Sequence, residues 1–388
     1  MRKIDRKTLN RKKIIIMIII FIIIFLLITL ISLYIAEKNV RDWVDVHLLQ
    51  KNISESDIAS IPLNTDKSNQ ICAYSKYIAI STDKIVTLYN SYGEKIDSIN
   101  TDINNAIYDS SDRYLAIAEN EGKKACLLLD RTYLWGINTD ADILQIHVNK
   151  NGYVAIITTD VTHKSILTLY DTSGTKLFTS YFSSTRIIDA SISNDNKYIA
   201  VGELDSSGVT IKSNIKIISV ENARNDPDNT IIYTYNADSE KLVTNVQYQD
   251  NNQIACIYDN SVDIIKDNNN TEILNIDNEK IIHITNNLKN QIAYVEEQSD
   301  GLFQVSSNVH IINTNSNQEN IYSLEETIKQ IYANETIIVA NTGTDLYFIS
   351  TNGWLIKKYS ASQEITNVVF SGNVAAVVFK DKIEVIAL

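Results

Sequence analysis

Apolar residues along this chain follow two regimes. Residues 14–35 read IIIMIIIFIIIFLLITLISLYI, with only Thr29 and Ser32 as small polar interruptions. As a helix rising about 1.5 Å per residue the run spans roughly 33 Å, enough to cross a hydrocarbon core of about 30 Å. The pattern predicts a transmembrane helix over 14–35. Residues 36–56 read as a juxtamembrane helix or linker, because Val40, Trp43, Val44 and Leu48 recur near helical spacing. From residue 57 onward no helical period lasts three turns. Short runs of Ile, Val and Tyr alternate there with Asn, Asp, Ser and Gly, the chemistry of strands and turns.

The strand-like runs repeat. Each copy has an apolar stub, a polar turn and a strongly apolar strand, as in IYDSSDRYLAIAE from Ile107, IHVNKNGYVAIIT from Ile146 and VFSGNVAAVVFK from Val369. Eight such heads are present, anchored at Tyr74, Tyr108, His147, Ile192, Tyr248, Ile284, Tyr332 and Phe370. Their spacing is irregular but centres on the ~40–45 residues of a four-stranded propeller blade. Several heads are followed by two more strands around a glycine turn, at Gly93, Gly174 and Gly353. Glycine there permits the positive φ of a tight hairpin.

These signals predict an all-β fold, an eight-bladed β-propeller over 57–388. Seven blades is the alternative, if the weak copy at 329–360 or the terminal one is structured otherwise. The last copy runs out one strand short, and residues 57–64 are the candidate to complete it. Pro62 is tolerable there because an outermost strand needs no ladder bond on its free side.

Charge orients the apolar helix. The tail 1–13 carries seven Lys and Arg against Asp5, whereas the residues just after the run are balanced. Positive flanks stay cytoplasmic, so the expectation is a single-pass plasma-membrane protein with its N-terminus inside and its propeller outside. Lys12, Lys13, Arg41 and Trp43 are the candidate membrane-interface residues, and the lipid bilayer is the first partner. A cleaved signal peptide fits less well, since its apolar region spans about 7–15 residues before a small-residue cleavage site. Beyond residue 13 the balance is 28 Lys and Arg against 46 Asp and Glu. That excess of negative charge argues against nucleic acid as a partner.

Cys72, Cys126 and Cys256 sit apart in apolar runs and read as buried small hydrophobes. No Cys or His pair has ligand spacing, so neither a metal site nor a cofactor is expected.

The segments RDWV from Arg41, VNKNGYVA from Val148, and Ser207-Gly208 followed by SNIKII from Ser213 carry a resemblance that covers nearly the whole chain. In them the chain resembles an uncharacterised clostridial family of single-pass membrane proteins with a WD40-like or quinoprotein-like β-propeller. The resemblance implies a fold and a location and no activity. The periodic Trp of quinoprotein enzymes is missing, as only Trp43, Trp135 and Trp354 occur.

No nucleophile elbow, phosphate loop or calcium loop is found, and no catalytic residue is assigned. Three connections between second and third strands look long, at 159–164, 203–214 and 296–308. They place Glu203, Asp205, Lys212, Glu297 and Asp300 as candidate binding residues on one propeller face. The function expected is a non-catalytic protein-interaction or scaffolding module of the cell envelope, with an envelope protein or polymer as partner. A sensor of a small ligand or cell-wall glycan is the alternative, and an envelope hydrolase a third reading.

Overall fold

The computed structural model describes residues 11–226, 229–237, 241–250, 252–276, 280–299 and 305–388. The chain up to Asn52 forms one compact unit and Ile53–Leu388 a second.

In the first unit, helix α1 (Arg11–Ala36) is followed at once by helix α2 (Lys38–His47). Residues Ile15–Ala36 are apolar and long enough to cross a membrane, and none of their side chains is buried in protein. Glu37 adopts an extended conformation and breaks the helix. Three polar groups hold that break. Tyr34 donates to Oδ1 of the buried Asp45 at 2.8 Å, and Lys51 pairs with the same oxygen at 2.8 Å.

In the second unit, thirty-two strands among the described residues form eight four-stranded antiparallel sheets. Seven sheets use four consecutive strands each, over residues 70–100, 106–138, 142–182, 185–236, 243–275, 281–324 and 330–360. The eighth takes three strands from 367–387 and its outermost strand, Ile58–Pro62, from the front of the unit. Ile58 pairs with Ile386 and Pro62 with Lys382 across that closing ladder. The innermost strand of every blade touches the innermost strands of both neighbours, and Gln70–Tyr74 touches Asn367–Ser371, so the ring is closed. Both copies that left seven blades open, 330–360 and the terminal one, are complete blades.

Apolar alternation in each strand buries both sheet faces, because every blade has a neighbour on each side. The core is therefore eight separate seams. One cluster of buried side chains occupies each, such as Leu169, Ile187, Val201 and Ile218 between blades 3 and 4. The turn glycines serve the same packing. Gly174 has φ +81°, and a Cβ on it would stand 2.8 Å from the Trp135 ring of the preceding blade.

A belt of hydrogen bonds links all eight inner strands at or beside their turns. Ser75 N donates to Asp112 O, Val148 N to Asp109 Oδ2, and Asn149 Nδ2 to Ser193 O. The belt continues through Tyr248 N to Ser191 Oγ, Gln249 Nε2 to Gln291 O, and Glu335 N to Asn287 O. Asn334 Nδ2 to Phe370 O and Ser371 Oγ to Ser75 O complete the circle. The head spacing stretches in blade 4 because a short helix, α3 (Val220–Asn225), sits between its third and fourth strands.

Candidate binding face and the inner-strand polar cluster

Because successive strands alternate in direction, connections between second and third strands share one face of the ring with those between blades. In blades 1, 2, 5, 7 and 8 the second-to-third connections are two to four residues long. Blades 3, 4 and 6 differ. Blade 3 carries a five-residue turn, 160–164. Blades 4 and 6 extend the strands themselves, to eight residues in Tyr198–Asp205 and Lys212–Ser219 and nine in Gln291–Ser299 and Val305–Asn313.

This changes the standing of the acidic and basic residues that the sequence places in loops. Glu203, Asp205, Lys212 and Glu297 lie in ladders, opposite Asn214, Lys212, Asp205 and Ser307 respectively. Glu203 is wholly buried. It pairs with Lys216 at 2.7 Å and accepts from Thr185 Oγ1 at 2.6 Å and Asn214 Nδ2 at 3.3 Å. An ion taken out of water holds its charge through such partners, so Glu203 is structural and offers nothing to a ligand. Asp205 accepts from Ser207 Oγ at 2.6 Å and Ser207 N at 2.9 Å, and these bonds hold its carboxyl below the usual range. Lys212 is exposed, and Glu297 is half-buried with Thr327 on its Oε1. Asp300 and the side chains of Lys12 and Lys13 lie outside the described residues. Arg41 sends Nη2 to the last turn of α1, at Ile35 O, 3.4 Å, where helix carbonyls favour a cation. Trp43 is half exposed on α2.

The tips of the long hairpins carry something else. Val161 and Val209 stand fully in solvent, at 104% and 106% exposure, with Ile211 and Val305 also exposed. The tips are stiff. Asp160 Oδ1 accepts from the N–H groups of Thr162 and His163 at 2.8 and 2.7 Å, and contact with His163 pulls the Asp160 carboxyl far below its ordinary value. Lys164 Nζ reaches Ser206 Oγ at 3.1 Å, tying the blade 3 turn to the blade 4 turn. Val161 and Val209 thus face water on neighbouring turns. Their signal in the sequence is an apolar residue inside an otherwise polar turn, as in DVTH from Asp160 and SGVTIK from Ser207.

A second group was not legible. Inner strands of blades 2, 3 and 4 bring Asp109, His147 and Asp189 near one another. Asp189 Oδ1 lies 3.7 Å from His147 Nε2, while Asp189 Oδ2 accepts from Val246 N at 2.8 Å and Asn245 Nδ2 at 2.7 Å. Burial pushes the Asp189 carboxyl up to about 6 and raises Asp109. Burial lowers His147, with the charge of Asp109 pulling the other way. The imidazole is thus neutral at pH 7, held between two carboxylates. Asp109 accepts from Val148 N of the next blade, and Asp189 from Val246 N and Asn245 Nδ2 of the next, so the group stitches seams between blades. The thiols of Cys72, Cys126 and Cys256 are buried in seams, where burial pushes Cys126 up to about 12.

The chain belongs to the family of unknown function DUF5711, which it matches over residues 50–388. No curated protein matches it. Its fold is similar to that of BamB from Moraxella catarrhalis, with a TM-score of 0.51 at 12% identity, covering 85% of this chain and 98% of that one. It is similar to the C-terminal WD40 domain of Sif2, with a TM-score of 0.57 at 13% identity, covering 85% and 99%. The WD40 domain of SCAP from fission yeast is a further likeness, with a TM-score of 0.51 at 10% identity, covering 86% and 98%. At such identities these likenesses speak to fold alone.

Proposed function

We propose that this member of the family is a membrane-tethered, non-catalytic propeller that docks a protein partner of the cell envelope on its hairpin face. The observation that carries the reading is the pair of fully exposed valines, Val161 and Val209, on turns joined by the Lys164–Ser206 hydrogen bond. Water-facing apolar side chains on a rigid scaffold cost nothing to pre-order, and an apolar partner surface gains by covering them. Propellers commonly serve as binding platforms, because a closed ring has short, protected edges and a fixed set of loops. The tether is the apolar helix at Ile15–Ala36, read as a retained anchor with the propeller outside.

The test is photo-crosslinking from position 161 or 209 in intact membranes. The expected result is one dominant protein adduct from each position, the position 161 adduct being lost in Val209→Asp and the position 209 adduct in Val161→Asp, at unchanged protein level. Adducts from neither position overturn the docking reading.

A further inference from the structure

Beyond the hairpin face, we infer that the join between blades 7 and 8 is a binding site for a small, neutral, hydroxyl-rich ligand of the sugar class. A cleft of about 290 Å³ opens there. Ligand pockets begin at about 300 Å³, so this one suits a single ring.

Three distant parts of the chain build it. Glu55 and Ile58 come from the strap that leads into the closing strand. Tyr359, Ser360, Ser362 and Gln363 come from the end of blade 7, and Lys382 and Glu384 from blade 8. The strap is held by Ile53 N donating to Lys358 O at 2.9 Å.

Charge decides the ligand class. Glu384 is already satisfied, accepting from Tyr359 on one oxygen and pairing with Lys382 on the other at 2.5 Å. That fixed pair neutralises itself, so the cleft offers no unmatched cation for a phosphate. Glu55 alone remains as an exposed carboxylate, too little to hold a polyamine. Beyond these groups the cleft is lined by the solvent-exposed neutral residues Ser360, Ser362 and Gln363 and by the apolar Ile58, Ala361 and Phe379, a mix of hydrogen-bonding groups and hydrocarbon that suits both faces of a sugar ring. Hydroxyls and amides at this density match the alternating donors and acceptors of a sugar ring. Because the strap supplies one wall, an occupant bridges the closing strand to both blades. Occupancy therefore stabilises the ring where its ends meet.

The experiment uses the full chain in nanodiscs, with hydrogen exchange of the backbone amides of residues 58–61 in the closing strand as readout. The probes are N-acetylglucosamine, inorganic phosphate and spermidine. N-acetylglucosamine is expected to slow exchange at least threefold in that strand. Gln363→Ala, at an exposed position, is expected to weaken the effect more than tenfold in sugar concentration, and Glu384→Gln is the second variant. Slowing by phosphate or spermidine alone overturns the inference, as does no slowing by any probe or a sugar effect that Gln363→Ala leaves intact. The hairpin docking test reads a different face, so either proposal can fail without the other.

Discussion

The seam between blades 3 and 4 and the seam between blades 5 and 6 join the same kind of sheet with opposite materials. The first buries fourteen apolar side chains in one cluster, including Leu167, Leu169, Ile199 and Val201. The second, among the described residues, buries four: Ala255, Val262, Ile264 and Ile292. Amides take the place of the missing hydrocarbon. Gln253 Nε2 donates to Gln249 Oε1 at 3.2 Å and to Thr314 Oγ1 at 2.5 Å, and Thr314 returns a bond to Gln249 at 3.0 Å. Asn286 Nδ2 reaches across to Ala255 O at 3.3 Å. All four side chains are buried.

The difference teaches how a ring tolerates uneven seams. An apolar seam gains free energy from area and forgives small shifts. A polar seam gains little net stability but demands one geometry, since each missed bond strands a buried group. The blade 5–6 seam is thus expected to open before the blade 3–4 seam.

The largest effect is expected in the apolar seam. Leu169→Ala leaves a cavity among residues with no solvent contact and is expected to cost about 3 kcal/mol in denaturant unfolding. A loss below about 1 kcal/mol would show that this seam repacks and that the contrast is smaller than drawn.

Acidity offers the next lever, at the seam between blades 4 and 5. The folded Asp189 carboxyl titrates near 6, above its ordinary value, so the folded state holds a proton more tightly than the unfolded chain. Its stabilisation is complete below about pH 4 and is lost as pH rises to about 6, an effect of order 2–3 kcal/mol. Asp189→Asn is expected to flatten that window in thermal melts across pH 4–7. An unchanged pH slope would remove Asp189 from the account.

In the polar seam, Gln253→Ala is expected to cost about 1–2 kcal/mol, because it removes two buried hydrogen bonds, to Gln249 Oε1 and Thr314 Oγ1, and leaves a cavity beside them. Replacing Gln249, Gln253 and Thr314 together by apolar residues is expected to be closer to neutral than the single change. A triple variant worse than the sum of its singles would make this network a source of net stability. Native-state hydrogen exchange sharpens the same contrast: amides of Ile281–Leu288 are expected to exchange faster than those of Thr185–Ile192, and equal rates would erase it. The smallest effect is expected at the hairpin tip, where Val209→Asp should shift stability by less than about 0.5 kcal/mol while abolishing the cross-link from position 161.

The chain's hydrophobic periodicity determined the eight strand heads and the long apolar run at 14–35, because period-two alternation and an uninterrupted apolar stretch are local properties. It also marked Gly93, Gly174 and Gly353 as turns, and all three adopt positive φ. Tertiary structure alone decided the rest. Connections at 203–214 and 296–308 are polar enough to read as loops, yet 203–205 and 212–214, and 296–299 and 305–308, extend the ladders, and Glu203 finds Lys216 and Thr185 inside its blade. Asp109 and Val148 are 39 residues apart, and Ser371 and Ser75 are 296 apart, so their bonds exist only once the ring has closed. Local pattern can write a strand; which strand it meets, and what a buried charge then pairs with, is settled by the geometry of closure.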